Sequence, residues 1–408
     1  MEWEIREVQN KRDLKRFVHF PLQLYRDHPF YVPPFIADEI GLFSPSKNPA
    51  YENCETKLFL VYHNNICVGR IAGIISHIAN KKYHEKNLRF GWFDTINEEK
   101  SAELLFSAVE SWGKERGMTT CTGPQGFTDL DPAGLLIEGF DELSTMATRY
   151  NHPYYQELIE KCGYTKLIDA LEFQTKVPNQ KDIPESLIKS AEWVKKRYNY
   201  HILEFKNKRE ALQRGMELIN LIDESYADLY GTVPLTEKQK KYYIKKYLPY
   251  IQTDFIKAVA DEKNNLIGFL ITMPSLSRAL QKARGRLFPV GFWYLLKALK
   301  TYHVLDFYLA GVKKEYRNKG VDVLMVYEIT KTATKFGFSY SESNPELETN
   351  KKIQNEWKLF KPRQHKRRRI YFKQIQCKDE RKSIQDYILF SIYSLSATAL
   401  LKVSLFAE

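Results

Sequence analysis

Cysteine is scarce in this sequence, and the few cysteines follow no functional spacing. The 408 residues contain five, at Cys54, Cys67, Cys121, Cys162 and Cys377. They form no Cys-x-x-Cys pair and no metal-ligand spacing, so we predict neither a metal site nor a disulfide framework. An odd, scattered set is typical of reduced thiols in a cytosol.

A secretion signal is also missing from the start of the sequence. MEWEIREV has no basic segment followed by an apolar run. We therefore expect a protein that is in the cytoplasm or attached peripherally to the inner face of the membrane.

The composition describes a folded, basic protein of about two domains. Hydrophobic residues make up 43% and aromatic residues 14% of the chain, which is enough to fill cores and excludes a disordered protein. A length of 408 residues exceeds one typical core. The net charge of +12 favours anionic partners: nucleic acid, acidic lipid headgroups or the phosphates of a nucleotide.

The two halves repeat one order of predicted elements: helix, hairpin, strand, helix, strand, helix, strand. The stretches 58–75 and 255–273 each contain two strand-like runs joined near an Asn-Asn turn, which predicts a hairpin. The second strand of each hairpin carries a glycine, Gly69 in one and Gly268 in the other. Downstream, each half has a helical stretch that is followed by a glycine and a strand.

The repeat offset of roughly 200 residues is the size of a domain rather than of a solenoid unit. VPNQKDIP, which is polar and carries prolines, fits a boundary near 176–198. We therefore predict three regions: 1–177, 198–376 and an apolar C-terminal helix at 377–408.

This element order, with Arg-x-x-Gly at 317–320, resembles the GNAT superfamily of acyltransferases. FPLQLYRDHPFYVPPF, GPQGFTDLDPAGLLIEGFD and YNHPYY are similar to a bacterial tandem-GNAT family that includes candidate ceramide synthases, which N-acylate a sphingoid base. The resemblance covers most of residues 1–375. It implies an α/β fold of two tandem domains with mixed sheets flanked by helices, an acyl-CoA donor and an amine acceptor.

In that superfamily the pyrophosphate of acyl-CoA lies where a central strand meets a helix N-terminus, whose N–H groups and dipole attract phosphate. The resemblance places this site at Val312, Arg317, Asn318, Lys319, Gly320 and Val321. Asp322 departs from the family pattern, and its carboxylate would repel phosphate; the alternative is a surface turn with an Asp N-cap. The first half has Asp94, Glu98 and Glu99 at the equivalent point, so we expect no CoA site there.

Transfer to an amine requires a general base, because an alkylamine is protonated near neutral pH. The candidate bases lie in SYSESNPELETN: Glu342 at a predicted strand end and Glu348 near the start of the next helix, with Asn344 and Asn350 as orienting partners at the catalytic site. For Glu346, in the same stretch, we favour a plain helix N-terminal charge.

Two further stretches leave alternatives open. The glycine-rich loop 123–141 carries Asp129 and Asp131, which could receive a cationic amine; the alternative is a structural loop that braces the domains. The insertion RALQKARGRLFPVGFWYLLKALKTYHV has the composition of an interfacial helix for an acidic membrane surface, or of a helix packed on the sheet.

The basic run KPRQHKRRRIYFK permits a nucleic-acid site through Lys366, Arg367, Arg368 and Arg369, with Tyr371 for stacking. Contact with acidic lipid or a CoA phosphate, or an edge strand protected by charge, explains the run equally well. Nucleic acid ranks below acyl-CoA as a partner. The sequence thus predicts an acyl-CoA-dependent N-acyltransferase, with a catalytically inactive GNAT-fold protein that binds acidic lipid or nucleic acid as the alternative. It leaves the oligomeric state open.

Overall fold

The computed structural model describes residues 2–227, 231–247 and 252–376. The predicted tail helix and Cys377 lie outside these residues. The four described cysteines are free. The first half contains these elements, in chain order: β1 (Trp3–Glu7), α1 (Lys11–Leu24), α2 (Ile36–Leu42), β2 (Cys54–His63), β3 (Ile66–Ser76), α3 (His77–Tyr83), β4 (Asn87–Thr95), α4 (Glu99–Glu115), β5 (Thr120–Gly123), β6 (Leu135–Glu138), α5 (Tyr155–Lys161) and β7 (Thr165–Lys176).

A helix, α6 (Glu185–Tyr198), follows the polar segment at which we predicted a boundary. The second half then repeats the order of the first: β8 (His201–Leu203), α7 (Lys208–Gln213), α8 (Gly215–Tyr226), α9 (Glu237–Tyr247), β9 (Ile256–Ala260), β10 (Leu266–Pro274), α10 (Ser277–Ala283), α11 (Gly291–Ala298), β11 (Val304–Val312), α12 (Val321–Phe336), β12 (Tyr340–Glu342), β13 (Glu346–Leu347), α13 (Lys351–Trp357) and β14 (Arg363–Gln374).

The hairpins and their glycines lie where the sequence predicts them. Asn64, Asn65 and Asn264 have positive φ, as tight hairpin turns require. A methyl group at Gly268 would lie 2.4 Å from Val321 Cγ1, at the start of α12, and one at Gly69 would lie 2.9 Å from Val61 Cγ1. Only glycine allows such close packing against the second strand of each hairpin.

The strands form one continuous mixed sheet in which the two halves exchange their last strands. The order is β1-β2-β3-β4-β5-β14-β7-β12-β11-β10-β9-β8, with β6 beside β14 and β13 beside β7. Thus β14, from the end of the chain, pairs with β5 of the first half, while β7 pairs with β12 of the second half. Helices cover the sheet, and the α/β architecture of two tandem halves is confirmed. The boundaries 1–177 and 198–376 stay a prediction.

The basic run occupies an interior strand, so the edge-strand interpretation is wrong: β14 has β5 and β7 on its two sides. Lys366 and Arg368 are buried against Glu172, with Arg368 Nε donating to Glu172 Oε1 at 2.6 Å. Arg367 and Arg369 both donate to Asp169. Carboxylates of the same sheet therefore account for the charge of this run, which removes the reason for a phosphate contact there.

Candidate active site

A cavity of about 1080 Å³ lies between the two halves, at the upper end of the size range of small-molecule sites. The second half contributes α8, β10, β11 and α12. The first half contributes residues 31–35, 125–134 and 146–150. Most of the lining side chains are apolar, with a few polar groups among them. A largely apolar ligand with a few polar groups matches these walls.

Two parallel strands separate beside the cavity. Strands β11 and β12 pair only from Val304 to Asp306, opposite Tyr340 to Glu342. Beyond that point β11 continues to Val312, while the other chain segment turns away and pairs with β7 as β13. Residues on both sides of this gap line the cavity, including Tyr308 and Asn344.

Tyr308 lies at an irregularity in β11. The register with β10 shifts between Ile271 and Thr272, so that Tyr308 is an extra residue there. Such bulges change the direction of a side chain and are common beside active sites. Across the gap, Asn344 Nδ2 donates to the Tyr308 carbonyl at 3.0 Å, which holds the two strands at a fixed separation.

Glu346 is the cavity-lining carboxylate in the segment where β11 and β12 separate. Trp357 Nε1 donates to its Oε1 at 2.6 Å, whereas Oε2 is buried without a hydrogen-bond partner. Burial raises the pKa of Glu346 to about 7, partly offset by the Trp357 hydrogen bond. A carboxylate with this pKa exchanges a proton readily at neutral pH.

The sequence analysis ranked Glu346 below Glu342 and Glu348 as a candidate base. It is in β13, and α13 begins at Lys351, so the interpretation as a helix N-terminal charge is wrong. All five residues from Ser343 to Leu347 line the cavity, so no alternation in the sequence could have singled out Glu346.

The predicted bases Glu342 and Glu348 do not line the cavity. Strand alternation turns Ser341 and Ser343 toward it, so Glu342 points to the opposite face, where Gln174 Nε2 donates to its Oε1 at 2.7 Å. Glu348 accepts from the Asp169 N–H and from Lys166 Nζ, outside the cavity. Asn350 does line the cavity and directly precedes α13, although its side chain makes no capping hydrogen bond.

The predicted phosphate loop connects β11 to α12 at the edge of the cavity. Val312, Arg317 and Asp322 line the cavity. Arg317 Nη2 donates to the Ser225 carbonyl at 2.9 Å and thereby ties the loop to α8. Asp322 Oδ1 accepts the Val323 N–H at 3.0 Å, so a carboxylate already takes one N–H of the first helical turn.

The remaining predicted phosphate-site residues point elsewhere. Gly320 has a φ of +77°, and a methyl group there would lie 2.3 Å from Val194 Cγ2 of α6. Val321 is buried beneath Gly268. Asn318 and Lys319 do not line the cavity. Gly320 is therefore required for helix packing, whatever the loop binds.

The equivalent position in the first half is filled by the protein's own side chains. Asp94, near the end of β4, pairs with Arg70 at 2.7 Å, and both are buried. Tyr155 accepts the Thr95 N–H at 2.9 Å. Lys161 bonds to Glu99 at the start of α4. That only the second half binds CoA stays a prediction.

The loop with Asp129 and Asp131 lines the cavity and also joins the two halves. Asp131 Oδ2 accepts the Phe127 and Thr128 N–H groups, at 2.9 and 3.1 Å, so this carboxylate shapes the loop. The hydroxyl of Thr128 bonds to that of Tyr243 in α9. Burial raises the pKa of Asp129 to about 6, which leaves it largely ionised at neutral pH. The loop thus braces the halves, and Asp129 carries negative charge into the cavity.

No group of three or more His, Cys, Asp or Glu among the described residues could hold a metal ion. No helix within 2–227, 231–247 or 252–376 is long and apolar enough to cross a membrane.

Comparison with known proteins identifies relatives over nearly the whole chain, although no family model matches. Protein YghO of Escherichia coli (strain K12) is 28% identical over 377 residues, 91% of this chain and 95% of that protein. The bacterial ceramide synthase of Caulobacter vibrioides (strain NA1000 / CB15N) is 25% identical over 351 residues, 84% of this chain and 90% of that protein.

Solved structures share the fold at low sequence identity. A tandem GNAT protein from the clavulanic acid biosynthesis pathway superimposes with a TM-score of 0.53, is 10% identical, and is matched over 93% of this chain and 100% of its own. A GCN5-related N-acetyltransferase from Sphaerobacter thermophilus gives 0.50, also at 10% identity, over 93% and 98% of the two chains. The chain thus has the fold of tandem GNAT proteins and resembles two bacterial proteins over most of its length.

Proposed function

We propose that this protein is an acyl-CoA-dependent N-acyltransferase that acylates a long-chain amine. The observation that carries the proposal is Glu346, a buried carboxylate with a pKa of about 7, in an apolar cavity where β11 and β12 separate. The relative named as a ceramide synthase supports a lipid amine such as a sphingoid base as the acceptor.

The reaction needs one proton acceptor and one proton donor. The ammonium group first gives one proton to water; the neutral nitrogen then attacks the thioester carbonyl carbon, the C–S bond breaks, and a second proton leaves the nitrogen. Glu346 accepts that proton, directly or through water. The departing thiolate takes a proton from a tyrosine; Tyr226 and Tyr308 line the cavity, and burial raises the pKa of both, so they stay protonated at neutral pH.

The apolar walls favour a long chain. A chain inside the cavity removes apolar surface from water, which stabilises the complex by about 0.8 kcal/mol for each buried CH₂ group. Asp129 supports the choice of acceptor, because its negative charge attracts an ammonium group before deprotonation.

The test is product formation by purified protein from palmitoyl-CoA and a sphingoid base, followed by mass spectrometry. We expect an N-acyl product, and Glu346→Gln should lower kcat at least about 100-fold with palmitoyl-CoA affinity retained. Glu348→Gln is the matched control, since this carboxylate lies outside the cavity, and it should keep wild-type rates.

Binding of palmitoyl-CoA without turnover of any long-chain amine would overturn the proposal. That outcome would favour the alternative, a catalytically inactive binding protein, which the Asp322 carboxylate supports because it would repel phosphate. Acetyl-CoA as the better donor would refute the long-chain part alone.

A further inference from the structure

The insertion between β10 and β11 forms an outer wall of the cavity. Its two helices, α10 and α11, pack against each other, and Leu287, Phe292 and Leu295 line the cavity. Contacts with the first half fix its position: the Ile36 N–H donates to the Gly285 carbonyl at 3.0 Å, and Gln281 Nε2 donates to the Tyr31 carbonyl at 2.9 Å. The insertion is therefore a built part of the site rather than a loose loop.

The insertion also exposes large apolar side chains to solvent. Phe288 is 77% and Trp293 is 63% exposed, and Val290, Tyr294 and Leu296 are exposed beside them, with Leu296 also lining the cavity. We call these five residues the apolar patch. The ring of Phe292, which lines the cavity, lies 4.8 Å from the Trp293 ring and 5.9 Å from the Phe288 ring. Apolar surface thus continues from solvent to the cavity wall.

The charge around the patch has one sign. From 263 to 305 the sequence contains no Asp or Glu. Arg284, Arg286, Lys297 and Lys300 are all exposed on the insertion. A second copy of the chain would present the same positive charge and be repelled. An occupant must instead combine negative charge with apolar material.

We propose that the apolar patch and its surrounding cations dock this protein on an anionic bilayer, so that lipid chains reach the cavity from the membrane. Aromatic and leucine side chains enter the headgroup boundary while Lys and Arg contact acidic headgroups. The docking itself stands on the patch alone; only the delivery of lipid chains rests on the proposed function. A bilayer fits better than an acidic protein, because the wall behind the patch encloses an apolar cavity.

The test is co-sedimentation of the full chain with vesicles of phosphatidylcholine, and of phosphatidylcholine with about one quarter phosphatidylglycerol. We expect partitioning to the anionic vesicles that weakens as salt is raised. Phe288→Glu combined with Trp293→Glu should lower it at least about tenfold. The matched control is Trp193→Glu on α6, another tryptophan that is 58% exposed, which should bind as wild type.

Equal binding to both vesicle types, no binding to either, or unchanged binding by the folded double variant would each overturn the docking proposal. Should the double variant melt at a lower temperature than wild type, Lys297→Glu with Lys300→Glu replaces it and must show the same loss. Turnover separates the two proposals: the double variant should process acyl-CoA in detergent as wild type does. A wild-type protein that binds anionic vesicles but transfers no acyl group would refute the function and leave the docking intact.

Discussion

Arg368 and Glu172 lie 196 positions apart in the sequence but on the neighbouring strands β14 and β7, where Arg368 Nε donates to Glu172 Oε1 at 2.6 Å. Lys366 Nζ lies 3.2 Å from the other oxygen of the same carboxylate. All three side chains are buried. Ion pairs shielded from water therefore connect the exchanged strands of the two halves.

Arg368→Met should destabilise the whole protein by about 3–5 kcal/mol, because it leaves a buried carboxylate with one partner fewer. The measurement is urea unfolding followed by circular dichroism. Arg363→Met on the same strand is the control: its guanidinium is exposed, although it bonds to Glu142, and the change should cost less than about 1 kcal/mol. Equal losses in the two variants would contradict a structural role for the buried pair.

Acid should remove the contribution of this pair. Burial raises the pKa of Glu172, but Lys366 and Arg368 outweigh burial and lower it to about 2, below the ordinary value of about 4.3. A lowered pKa in the folded state gives stability that is present above about pH 4 and lost as the pH falls toward 2. Wild type should lose stability across that window, and Glu172→Gln should lose less; parallel curves for the two proteins would refute this.

The two glycines at the ends of α12 make a matched pair. Both have φ near +75°, so alanine at either costs roughly 1 kcal/mol in backbone strain. A methyl group at Gly337 meets nothing within 4 Å, whereas one at Gly320 meets Val194 at 2.3 Å. Thermal unfolding should therefore show a larger loss for Gly320→Ala than for Gly337→Ala. The double change Gly320→Ala with Val194→Ala should recover part of the lost stability. Identical losses for the two single variants would show that α6 moves aside without an energetic cost.

Acyl transfer should depend on the ionisation of Glu346. Because the base must be ionised and its pKa is raised to about 7, kcat/KM should rise with pH through about 7 and level off above it. The profile of Glu346→Gln should lack this limb, while Glu348→Gln keeps it. A limb that survives in Glu346→Gln would assign the base to another group.

The two loop carboxylates should respond in opposite ways. Asp131→Ala leaves two backbone N–H groups without an acceptor and should cost about 1–3 kcal/mol. Burial raises the pKa of Asp129 to about 6, so wild type loses stability as the pH rises from about 4 to 6, and Asp129→Asn should be the more stable protein above that range.

If Asp129 also attracts the amine, Asp129→Asn should raise the KM for the amine about tenfold while stability increases. Urea unfolding and steady-state kinetics on the same preparation check both. A more stable variant with an unchanged KM would leave Asp129 without a part in substrate binding.

The sequence by itself determined the elements and their repetition. The Asn-Asn turns, the hairpin glycines and Gly337 act through their own φ angles and immediate neighbours, so local patterns were sufficient to predict them. The strand ending at Glu342 and the order of elements in both halves followed from the same short-range preferences.

Only the tertiary structure decided which side chains meet. Strand exchange places β14 between β5 and β7, which turns a basic run that resembled a surface site into a buried set of ion pairs. It also fixes which face each residue of 341–347 presents, bringing Glu346 to the cavity and taking Glu342 away. Composition and spacing do not indicate which strand some 200 residues away will pair with a given strand. A shift of one residue in a strand also reverses the direction of each side chain.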